Sequence, residues 1–116
     1  METNLLAPAA DPEAAPALER ARQIFSGLQK GQINRSLLTT DAIAYFTDQA
    51  IADFAASLAP LGEPASFTQT GHSGRGGMTE RSFSIRAGGK SLSLVTYIMP
   101  DGKFAQYMID PVPAAR

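Results

Sequence analysis

A chain of 116 residues with 44% hydrophobic content has room for one domain and one core, without support from disulfides or metals. Ten basic residues against eleven acidic ones, scattered without long runs, argue against nucleic acid as a partner, and the absence of cysteine rules out disulfides, thiolate zinc sites and thiol nucleophiles. No apolar stretch approaches the roughly twenty residues that span a bilayer.

The start, Met1-Glu2-Thr3-Asn4, lacks the basic residues and apolar run of a signal peptide. Leu5 to Pro16 is rich in Ala and Pro, like an extended interdomain linker. That composition favours a piece of a longer protein over a free cytosolic one. The expected division is a flexible linker over 1–13, one domain over 14–111 and a short tail over 112–116.

The first helix is expected to start between Asp11 and Pro16. Asp11-Pro12-Glu13 supplies a cap, a first-turn proline and an acidic residue, although a start beyond Pro16 fits as well. Leu18, Ala21, Phe25 and Leu28 then repeat at helical spacing with Ile24 beside them, and Gly31 ends the helix after Lys30. Asn34 can cap a single turn carrying Leu37 and Leu38, and Asp41 can open another that ends at Tyr45-Phe46. Thr47 caps a helix from Asp48 to about Ala59, whose Ile51, Phe54, Ala55 and Leu58 share one face. Pro60, Gly62 and Pro64 terminate it.

Strands follow. Ser66 to Thr70 is the first, and Gly71 to Gly77 is read as a glycine-rich loop. Thr79–Arg86 alternates polar and apolar residues, Ala87-Gly88-Gly89-Lys90 turns the chain into Ser91–Met99, and Pro100-Asp101-Gly102-Lys103 turns it into Phe104–Ile109. Such short turns make antiparallel hairpins. Helices followed by a meander give an α+β domain, with N-terminal helices packed on one side of a curved antiparallel sheet of about four strands.

No residue set carries a recognisable catalytic motif. His72, the single histidine, has no second histidine or acidic neighbour nearby in sequence and reads as a solvated loop residue rather than a metal ligand. Gly71 to Gly77 with Arg75 has the backbone N–H groups of an anion cradle, but it leads into a strand and lacks Lys-Ser/Thr, so it is a hairpin connection. Asp41, Asp53 and Asp110, with Tyr45, Tyr97 and Tyr107, can furnish a pocket in which a buried carboxylate or phenol moves a proton. The simpler readings make Asp41 a helix cap, put Asp53 on a polar helix face and Asp110 after the last strand, and pair Tyr97 with Tyr107 across two strands. Met78, Met99 and Met108 fill uneven gaps in a core or interface. Ser82, Ser84, Ser91 and Ser93 form a small, weakly charged sheet face that either meets a second copy or a neighbouring domain, or is simply hydrated.

The order of parts resembles the NTF2-like superfamily, the cystatin-like cone fold that includes ketosteroid isomerase and the SnoaL-like cyclases. The matching pieces are the helix Ala14 to Lys30, the Gly31-Gln32-Ile33 step, the segment Asn34 to Thr39, Ala44-Tyr45-Phe46-Thr47, the helix Asp48 to Leu58, and the strands. The runs Tyr45-Phe46-Thr47, Phe54 to Gly62, Arg75-Gly76-Gly77-Met78-Thr79 and Met99 to Lys103 look like small domains appended to secreted bacterial serine hydrolases. The resemblance implies a cone lined by Tyr45, Phe54, Tyr97, Tyr107, Asp41 and Asp110, no cofactor or metal, and an extracytoplasmic setting; without the hydrolase association, the setting is cytoplasmic. It carries over no catalytic residue, because the sheet is short and neither a His-Asp or Tyr-Asp set nor a serine–lysine motif is present. The expected role is a non-catalytic accessory domain of a larger extracytoplasmic protein, serving interaction with a partner domain, domain positioning or weak capture of a small ligand. The alternative is a small enzyme or carrier holding an apolar molecule with a pocket Asp/Tyr pair. A third reading is a purely structural module that forms a homodimer through its sheet. Packing of Phe25, Phe54, Phe83 and Phe104 across the interior favours the first reading, and an open pocket favours the second.

Overall fold

The computed structural model describes residues 11–112 and shows helices followed by a four-stranded antiparallel sheet, an α+β architecture. Residues 1–10 of the expected linker and residues 113–116 of the expected tail lie outside the described part. Helix α1 (Ala14–Gln29) leads to a 3-10 turn at Arg35–Leu37, then α2 (Thr40–Tyr45), α3 (Asp48–Leu58) and a second 3-10 turn at Ala59–Leu61. Strands β1 (Ser66–Arg75), β2 (Met78–Ala87), β3 (Lys90–Ile98) and β4 (Phe104–Val112) lie side by side in chain order.

Local chemistry explains the helices. Ala17, Ala21, Ile24, Phe25 and Leu28 form the buried stripe of α1. Pro16 sits in the first turn, where its missing N–H has no helical acceptor to serve. The Oγ1 atoms of Thr39 and Thr47 accept from the N–H groups of Ala42 and Ala50 and so cap α2 and α3, while Asn34 caps the first 3-10 turn through Ser36. Asp41 is therefore not the cap expected of it; it is the second residue of α2, in the first turn, where its charge suits the positive helix end. Nor does Asp11 cap α1. The helix begins after Glu13 with no side-chain cap, and both Asp11 carboxylate oxygens accept from Arg81.

The sheet corrects three expectations. β1 runs on through Arg75, and Arg75 pairs with Met78. Only Gly76-Gly77 remains as a turn, with both residues at positive φ (55° and 93°) as a two-residue hairpin requires. His72 thus belongs to a strand, not a loop. β4 continues to Val112, so Asp110 lies within it, opposite Ser93. Finally, Tyr107 pairs with Thr96, not with Tyr97. Thr96 and Tyr107 face inward, and Tyr97 faces the opposite side of the sheet.

Two bulges set these orientations. Thr70 is an extra residue in β1 between the Gln69–Phe83 and Gly71–Ser82 pairs, and Ala105 is extra in β4 between the Phe104–Ile98 and Gln106–Tyr97 pairs. A single inserted residue reverses the alternation beyond it. The first bulge aims His72 to the same side as Gln69; the second aims Tyr107 to the same side as Phe104.

The core lies between the helices and the inner sheet face. Phe25, Phe83, Phe104, Ile24, Leu28, Leu38, Ile85 and Leu94 are fully buried. Phe67 links Phe25 and Phe83, with ring centroids 5.9 and 5.8 Å away. Phe54 is only half-buried and packs on Phe46 at the margin. Gln29 fastens α1 to the end of α3, donating from Nε2 to the carbonyls of Leu58 at 3.0 Å and Gly62 at 2.8 Å. At the opposite edge of the sheet, Leu38 bridges in parallel to Phe104 of β4, and the Thr39 N–H donates to the Phe104 carbonyl at 3.0 Å.

Candidate functional site

The six residues expected to line a pocket separate into three places. Asp41, Tyr45 and Tyr107 border one small cleft of about 110 Å³ between α2 and β4. Tyr45, exposed over two thirds of its surface, also borders a shallow surface groove with Asp53 and the half-buried Phe54. Tyr97 and Asp110 lie on the outer side of the sheet, away from both.

The cleft is too small for a typical organic ligand, since such sites enclose about 300–1,000 Å³. Its Tyr107 hydroxyl is committed: it donates to the Ala21 carbonyl at 2.8 Å inside the core. Burial pushes the Tyr107 phenol well above its usual pKa of 10.0, which holds it in the neutral, donating form. That hydroxyl is a brace between β4 and α1. A groove of about 630 Å³ runs along the outside of α1 toward β1 and is open to solvent. Arg22 stands over the Phe67 ring there, its guanidinium 5.9 Å from the ring centre.

The outer sheet face presents a different chemistry. Following the register across the strands, one row reads Ser66, Arg86, Ser91, Val112 and the next Thr68, Ser84, Ser93, Asp110. Beyond them come Gly71, Ser82, Val95, Met108 and then Ser73, Glu80, Tyr97, Gln106. The two central rows carry a single charge, Asp110, at the β4 edge. The rest of these two rows is small hydroxyls and Gly71 with Val95 and Met108, a face of low charge whose hydroxyls need hydrogen-bond partners wherever it is covered.

One polar cluster escaped the sequence reading. Arg81 points inward from β2 and is only 4% exposed. Its Nη1 donates to Asp11 Oδ2 at 2.9 Å and Gln69 Oε1 at 3.0 Å, and its Nη2 donates to Asp11 Oδ1 at 2.8 Å. His72 Nε2 stands 3.6 Å from Asp11 Oδ2, with half its side chain in solvent. The Arg81 hydrogen bonds, with the charge of Arg81 behind them, hold the Asp11 carboxyl below the usual carboxylate range. The buried Thr96 hydroxyl donates to the Arg81 carbonyl at 2.9 Å. A signal for Arg81 was present: it shares the parity of Phe83 and Ile85 on one strand. Asp11 lies 70 positions earlier, so no local pattern links the two.

Among the described residues no three His, Asp or Glu side chains converge as metal ligands, and no helix is long and apolar enough to cross a membrane. Comparison of the chain with protein-family models, with curated proteins and with solved structures returned no match.

Proposed function

We propose that the chain is a non-catalytic, NTF2-like interaction domain of a larger extracytoplasmic protein, and that it pairs with a second copy through the outer face of its sheet. The observation that carries this reading is the contrast between the two sides of the sheet. The inner side is filled by Phe25, Phe67, Phe83 and Phe104, whereas the outer side offers two central rows of small, almost uncharged residues.

A second copy suits this face because the face is complementary to itself. A two-fold axis lying across the strands, between the Ser84 and Ser82 rows, sets Arg86 of one copy opposite Glu80 of the other. Four strands about 4.8 Å apart and nine residues long at about 3.3 Å each present about 600 Å² per copy. That is at the small end for specific interfaces, so the dimer is a concentration-dependent one.

Sedimentation across a hundredfold range of concentration tests this. The expected result is a monomer–dimer equilibrium that Val95→Lys shifts to monomer. Arg86→Glu weakens it as well, and Arg86→Glu combined with Glu80→Arg restores it. A wild-type monomer at every concentration sinks the pairing. A dimer indifferent to Val95→Lys assigns the contact to another surface.

A further inference from the structure

We propose that Arg81, Gln69 and His72 form a binding site for a small carboxylate, and that Asp11 is its resident, displaceable occupant. This goes beyond pairing through the outer face, since every group of the site lies on the inner side of the sheet or leads into α1.

The site is built into the fold. Arg81 occupies a position whose strand neighbours on the same face, Phe83 and Ile85, are buried hydrocarbons, yet it carries a full positive charge at 4% exposure. An unpaired guanidinium in such a place is strongly destabilising, so the position demands an anion. The two parallel bonds from Nη1 and Nη2 to the Asp11 oxygens are the fork geometry with which arginine receives any carboxylate. Gln69 accepts from Nη1 and fixes the plane of the fork. The bulge at Thr70 reverses the strand's alternation, and His72 thereby reaches the same carboxylate oxygen from the solvent side.

Asp11 differs from the receptor groups in its attachment. Arg81, Gln69 and His72 stand on paired strands, whereas Asp11 precedes α1 and belongs to no element. Its side chain is a quarter exposed, so the place it fills opens to water. A carboxylate from solution can therefore take the same two bonds when the Asp11 side chain gives them up. The exchange replaces one carboxylate by another at Arg81 and leaves the core intact.

Chemical rescue tests the assignment. In Asp11→Ala, sodium acetate is expected to raise the melting temperature saturably, by roughly 5–10 °C at ten times its Kd, relative to sodium chloride at equal ionic strength. Wild type, with the site filled, gains far less. Adding Gln69→Leu to Asp11→Ala is expected to weaken acetate about fivefold, because Arg81 loses the acceptor that fixes the plane of its fork. In the same titration the Arg81 guanidinium NMR signals of Asp11→Ala move toward their wild-type positions. If Asp11→Ala is unfolded alone, recovery of a cooperative transition in acetate but not chloride counts as the same positive result. An equal response to acetate and chloride, or the same response in wild type and variant, overturns the proposal.

Discussion

Tyr107 places a hydroxyl among hydrocarbon side chains and satisfies it with one backbone carbonyl of α1. Tyr107→Phe removes that bond while Ala21, inside the helix, keeps its helical partner. The expected cost is about 0.5–1.5 kcal/mol in urea unfolding near neutral pH. The alkaline limb provides a second readout. Burial raises the folded phenol's pKa above 10.0, so its contribution is whole below about pH 10 and is lost as pH rises toward the folded value, because the unfolded phenol ionises first. Tyr107→Phe therefore flattens the stability loss above pH 10; an unchanged alkaline limb would show that the phenol is not held neutral. Asp11 works in the opposite sense. Its depressed pKa contributes stability above the ordinary carboxylate range that disappears as pH falls through the folded value.

At the scale of elements, the two Gly-Gly turns are the clearest tests. Gly88 and Gly89 both have positive φ, but only Gly88 lies against another part of the chain: a Cβ there would meet the Leu61 Cα at 2.9 Å. Gly89→Ala has open space and should cost about 1–2 kcal/mol, from its backbone conformation alone. Gly88→Ala should cost clearly more, and the difference measures how firmly the hairpin tip docks on the Ala59–Leu61 turn; equal costs would mean that the turn yields freely. The same dipeptide shows where sequence reading succeeds and fails. Gly88-Gly89 stood between alternating residues and read as a turn, whereas Gly76-Gly77 was hidden behind Gly71 and Gly74, which made the end of β1 look like loop. Small residues in an edge strand carry no alternation to read. The caps at Asn34 and Thr47 and the stripe of α1 were legible because their partners lie within a few residues. The bulges at Thr70 and Ala105 were not, since a bulge exists only relative to the strand beside it.

For the whole molecule, the α+β class followed from the order of helical and alternating segments, and the chain order of the strands from the shortness of their turns. The division of the expected pocket did not: the inward face of Tyr107 depends on the bulge at Ala105, while Tyr97 on β3 stands on the opposite side of the sheet. The inner side of the sheet closes the core, and the proposed pairing assigns the outer side to a second copy. Pairing of copies links stability to amount, so the melting temperature should climb with protein concentration in wild type and stay constant in Val95→Lys. The chain order of the strands also dictates a sequence of events. Gly76-Gly77 and Gly88-Gly89 close their hairpins over two residues, whereas the contacts of Tyr107 with Ala21 and of Arg81 with Asp11 span 86 and 70 positions. Short closures lose little chain entropy, so the meander is expected to assemble before α1 settles on it. In stopped-flow experiments Gly89→Ala should then chiefly slow folding, and Tyr107→Phe should chiefly hasten unfolding.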